Sequence, residues 1–150
     1  MSNFYQWVSK LLTTMGSKND APTFPQLPMP SQTTHDHFES YRVFITEHYQ
    51  EKGDTVWEYS KEKGLEGNQI NLIIKEKRTI FLIHTKEQSE DISIHDIHNF
   101  EKESNHFLKT HPIFEHYTIH LLYVMPSLLL DESSYKYIKQ NSHISYKIIK

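Results

Sequence analysis

The segment from Ile70 to Lys86 constrains this chain more than any other. Ile70 to Lys75 and Thr79 to Thr85 are rich in branched and aromatic residues and read as strands, and the short turn around Lys77-Arg78 implies that they form a hairpin. Successive side chains of a strand leave opposite faces. His84 and Lys86 therefore project from one face together, at the strand's end. Polar groups gathered there suggest a site.

Helical signals lie on either side of the hairpin. Asp36 and Glu39 have capping-box spacing, and Phe38, Tyr41, Phe44, Ile45 and Tyr49 mark a buried helical face that runs to Gly53. Thr55 to Ser60 reads as a strand and Lys61 to Asn68 as a glycine-containing loop. Ser93 and Asp96 repeat the capping spacing, and Ile94, Ile97, Phe100, Phe107 and Leu108 continue at helical intervals until Pro112. Tyr117 to Met125 reads as a strand, Asp131 to Gln140 as a short helix and Ile144 to Ile149 as a last strand. The expected order is α-β-β-β-α-β-α-β, an α/β class chain with helices flanking a central mixed sheet.

Upstream, Phe4, Trp7, Val8, Leu11, Leu12 and Met15 fall on one helical stripe that ends at Gly16. An amphipathic helix over residues 3–15 must dock, whether onto its own domain, onto a second copy in a homodimer, or onto a partner or membrane surface. It is too short to span a bilayer and lacks the basic start of a signal peptide. Between Asn19 and Thr34, Pro22, Pro25, Pro28 and Pro30 disfavour helix and ladder alike. The expected division is an N-terminal helix within 1–18, a proline-rich linker over 19–35 and a domain over 36–150.

The chain has 150 residues, 37% hydrophobic and 13% aromatic, enough for the core of one ordinary domain. The absence of cysteine excludes thiolate metal sites and disulfides and fits a reducing compartment, so the expected address is the cytoplasm. A formal charge of -3 and a pI near 6.4 exclude a global positive field, so any nucleic-acid contact has to be local. The 11 histidines are expected to make net charge strongly pH-dependent.

Read in order, Phe38-Glu39, Lys52-Gly53, Gly64 with Gly67, Gln69-Ile70-Asn71-Leu72-Ile73 and His84-Thr85-Lys86 resemble the Mrr-type branch of the PD-(D/E)XK, restriction-endonuclease-like superfamily. The resemblance spans about residues 36–125. It implies a restriction-endonuclease-like core, DNA as partner and divalent-metal-dependent phosphodiester hydrolysis. It also implies that Glu39, Asn71 and His84 surround a Mg or Mn ion while Lys86 positions or deprotonates the attacking water.

The chain departs from the family at that site. Asn71 stands where the family has aspartate, and His84 stands where it has Glu or Gln. Magnesium prefers hard, charged oxygen ligands. An asparagine carbonyl brings no charge, and a unit charge at about 4 Å is worth roughly 4 kcal/mol at an effective dielectric near 20. Imidazole suits softer divalent ions better. Lys61 and Lys63, beside the expected site, are candidate phosphate contacts together with Lys86, although Glu58, Glu62 and Glu66 dilute their field. Two functions are therefore expected in competition: a nuclease with altered ligands, and a catalytically dead binding or assembly module that docks through its N-terminal helix.

Overall fold

The structure is a computed structural model that describes residues 36–64, 68–87 and 90–150, with side chains in the first helix described from Ser40 onward. The N-terminal helix expected over 3–15 and the linker over 19–35 lie outside the described residues. Helix α1 (Asp36–Glu51) is followed by strand β1 (Thr55–Trp57), a short helix α2 (Tyr59–Lys63), β2 (Leu72–Glu76), β3 (Thr79–Thr85), α3 (Ile94–Thr110), a 3-10 turn (Pro112–Phe114), β4 (Thr118–Met125), α4 (Glu132–Gln140) and β5 (Ile144–Ile148). The strands form one five-stranded sheet in sequential order. The first three are antiparallel, while β3, β4 and β5 run parallel.

Alternation along the strands divides the core between the two faces of this sheet. Tyr41, Ile45 and Tyr49 of α1 bury against Leu72, Ile74, Ile83 and Val124. On the other face, Ile97, Phe100 and Phe107 of α3 and Ile138 of α4 bury against Ile73, Ile80, Leu82 and Tyr123. A central strand covered on both faces must be apolar on both, which is why Leu72-Ile73-Ile74 and Ile80-Phe81-Leu82-Ile83 show little alternation. The mixed sheet with helices on both sides is the α/β arrangement anticipated above.

The helix boundaries follow from local chemistry. Gly53, at φ 86, ends α1: its N–H donates to the Gln50 carbonyl at 2.9 Å, and the Asp54 N–H donates to the Tyr49 carbonyl at 3.1 Å. This pair of bonds is a Schellman cap. At the start of α3, the Ser93 hydroxyl oxygen accepts from the Asp96 N–H at 3.3 Å and the Asp96 carboxylate accepts from the Ser93 N–H at 2.8 Å, so the capping box read from the sequence is present.

Two local expectations are corrected. The strand anticipated over 55–60 stops at Trp57, and part of the anticipated loop over 61–68 is helix α2. The alternation from Thr55 to Tyr59 is overridden because Tyr59 packs edge-on against Trp57 and Phe107, at centroid distances of 5.1 and 5.0 Å. Phe44, expected in the buried face of α1, is 41% exposed, because Tyr41, Ile45 and Tyr49, one turn apart, already form the buried stripe.

Candidate functional site

The hairpin register pairs Leu72 with Ile83, which brings Asn71, the residue before β2, alongside the end of β3. Three hydrogen bonds hold the Asn71 amide there. Its Oδ1 accepts from the Thr85 N–H at 2.8 Å and from the Thr85 hydroxyl at 3.1 Å, and its Nδ2 donates to the Asn68 carbonyl at 3.3 Å. Because a backbone N–H can only donate, the Thr85 bond fixes which amide atom is the oxygen. An aspartate could not make the third of these bonds.

His84 faces α3. Its ring is edge-on to Tyr123 at 5.4 Å and tilted against Phe100 at 6.0 Å, and its Nδ1–H donates to the Gln69 carbonyl at 2.8 Å. Part of the residue stays accessible, yet burial of the imidazole pushes its pKa down to about 4. The bond to Gln69 opposes that shift and the charge of Lys86 adds to it. The ring is therefore neutral at pH 7, with Nδ1 committed to the loop and the Nε2 lone pair as its remaining acceptor.

Further contacts tie down the chain from Asn68 to Asn71. The Gln69 N–H donates to the Glu103 carboxylate at 2.7 Å, the Ile70 N–H to the Asn68 side-chain oxygen at 2.9 Å, and the Asn71 N–H to the Ile83 carbonyl at 2.8 Å. The Asn71 carbonyl accepts from the Ser60 N–H at 3.3 Å, and the Ser60 hydroxyl in turn accepts from Arg42 at 3.1 Å. Asn71 and His84 thus hold the entry to β2 against the exit from β3, a segment whose backbone groups must be paired once buried.

Lys86 follows β3 and prolongs the parallel ladder by donating its N–H to the Val124 carbonyl at 2.8 Å. Its charge reaches Asp96 as well as His84. Burial would raise the Asp96 carboxyl, but the hydrogen bonds from Ser93, then the charges of Lys86 and His95, hold it below the usual carboxylate range. Asp96 was legible only as a capping residue, and its second part, an acid near the end of β3, depends on how α3 enters. Tyr123 carried no sequence signal at all. Its hydroxyl is buried and has no hydrogen-bond partner among the described residues, and burial raises its pKa.

The other anticipated residues are placed as follows. Glu39 lies in the first turn of α1, and its side chain is outside the described residues; α1 packs on the sheet face opposite to the one that bears His84. Lys61 and Lys63 are exposed on α2, whose Ser60 bonds Asn71, while Glu62 of the same helix accepts from the Trp57 indole N–H. Among the described residues no group of three or more His, Asp or Glu side chains is arranged to hold a metal ion. Asn71 Oδ1 has both lone pairs occupied by Thr85, and His84 is a neutral nitrogen donor, so these described side chains do not fit a hard divalent cation.

A solved structure, the crystal structure of a repair endonuclease from Pyrococcus abyssi, is similar to this chain, with a TM-score of 0.48 and 12% identity, covering 82% of this chain and 50% of that one. The chain thus spans about half the length of that protein. Neither a family model nor a curated protein matches the sequence. No helix among the described residues is long and apolar enough to cross a membrane.

Proposed function

We propose that this chain is a restriction-endonuclease-like domain, related to the Mrr-type PD-(D/E)XK branch, that binds nucleic acid without cleaving it. In this reading the positions that would hold a metal serve the fold instead. The observation that carries it is the Asn71 amide. Two hydrogens from Thr85 occupy its oxygen, and its nitrogen donates to a carbonyl, a pattern that uses the amide as an amide and leaves nothing for a cation.

The His84 Nδ1–H is spent on the Gln69 carbonyl, which ties the ring to the loop before β2 and leaves at Nε2 a neutral nitrogen, poorly suited to magnesium. The binding surface in this reading draws on Lys86 at the strand end and on the exposed Lys61 and Lys63 of α2. Lysines act on phosphate as point charges, so this surface positions a backbone without reading bases.

A cleavage assay on plasmid and single-stranded DNA with Mg or Mn, comparing wild type with Lys86→Ala, tests the proposal alongside anisotropy binding to duplex DNA. The expected result is no Lys86-dependent cleavage, with binding that weakens when Lys61, Lys63 and Lys86 are replaced by alanine. Cleavage that Lys86→Ala abolishes would overturn it.

A further inference from the structure

A polar cavity lies at the turn end of the β2–β3 hairpin, at the opposite end of β3 from His84 and Lys86. It measures about 540 Å³ and is lined by Lys75, Lys77, Arg78, Ile113, His116 and Tyr117. Among the described residues its lining holds three permanent cations and no carboxylate, within a chain whose formal charge is -3. Alternation turns the adjoining acid away: Glu76 acts electrostatically on Tyr49, Asp54 and Lys147, on the α1 side of the sheet.

The backbone adds an independent observation. Lys77 has φ 55, a left-handed conformation that falls ordinarily to glycine, asparagine or aspartate. Lys77 and Arg78 are both exposed and form no ion pair among the described residues, so the positive φ that the two-residue turn requires is borne by a residue with an unpaired charge. A side chain kept in a strained turn at the rim of a cationic cavity points to a ligand. The wall is aromatic: the Lys75 ammonium lies 6.0 Å from the centre of the Tyr117 ring, which in turn packs on Phe114 at 6.5 Å.

We infer that this cavity binds a phosphate of a single-stranded nucleic acid. Arg78 grips two phosphate oxygens with its planar fork, Lys77 closes over them from the turn, Lys75 adds charge from the wall, and Tyr117 offers its ring to the neighbouring base. The cavity is of the size that takes a small ligand or a nucleotide unit. The inference stands whether or not Lys61, Lys63 and Lys86 bind nucleic acid, because none of them touches this cavity.

Fluorescence anisotropy of a short labelled DNA strand with the full chain tests it, with inorganic phosphate and duplex DNA as competitors. Arg78→Ala and Lys77→Gly should each weaken binding about tenfold, and each should lower the slope of log K against log salt by about 0.7. Lys77→Gly separates binding from folding, because it relaxes the turn: its melting temperature should hold or rise while its affinity falls. Replacing Lys61, Lys63 and Lys86 together by alanine should leave this hairpin-dependent part of binding in place. Wild-type affinity in both hairpin variants, or no binding of the strand by wild type, would overturn the inference. Displacement of the strand by inorganic phosphate at comparable concentration would also overturn it, by assigning the cavity to a free anion.

Discussion

The side-chain oxygen of Asn71 accepts from both the backbone N–H and the hydroxyl of Thr85, at 2.8 and 3.1 Å. With its nitrogen on the Asn68 carbonyl, one amide ties the last residue of β3 to the loop that begins β2. Removing it strands a partly buried N–H. Asn71→Ala is therefore expected to cost about 2 kcal/mol, read as a lower urea midpoint with an unchanged slope.

His84 makes the protein sensitive to acid. In the unfolded chain it takes up a proton near its ordinary 6.5, and in the native state only near 4, because burial disfavours the imidazolium. Between those values the unfolded state binds more protons, so stability is fully present above about pH 6.5 and falls as pH drops toward 4. The loss amounts to at most about 3 kcal/mol. His84→Gln keeps a donor for Gln69 and cannot titrate, so its stability should vary less with pH across this window, as thermal unfolding at several pH values would show. His111 and His120 are shifted down by burial too, so charge does not follow the histidine count as simply as composition suggests.

Ser93→Ala removes the acceptor for the Asp96 N–H and the hydroxyl that donates to the Asp96 carboxylate at 2.8 Å. The expected cost is about 1 kcal/mol, the usual value for a lost N-cap. Asp96 should also titrate at higher pH in the variant, since its carboxyl loses a stabilising donor, and an NMR titration of that carboxyl would detect the change.

Gly53→Ala places a side chain at φ 86. A Cβ there meets no atom within 4 Å, so the penalty is purely conformational. About 1 kcal/mol of lost stability is expected. A melting temperature equal to that of wild type would show that the Schellman cap tolerates the substitution.

Much of the fold was legible because its signals are local. The hairpin is specified by two apolar runs and a two-residue turn, and α3 by Ser93, Asp96 and apolar residues at helical intervals. Helix α2 was not, because Tyr59 continues a strand-like alternation and becomes helical only through its contacts with Trp57 and Phe107, the latter distant in sequence. Of the candidate site, only strand positions were legible. Spacing places His84 and Lys86 on one face of β3, but it does not reveal that His84 is turned under α3 onto Gln69, or that Asn71 reaches past it to Thr85. Those outcomes depend on how α3 and the loop before β2 close over the strand end.

Urea unfolding of Asn71→Asp, with and without Mg or Mn, tests most directly whether the Asn71 amide serves the fold rather than a metal ion. The carboxylate loses the donor to Asn68 and sets an oxygen against that carbonyl, so the variant should be less stable by about 1–3 kcal/mol, with no recovery when millimolar metal is added. An Asn71→Asp protein as stable as wild type, or one that gains stability from either ion, would contradict the account.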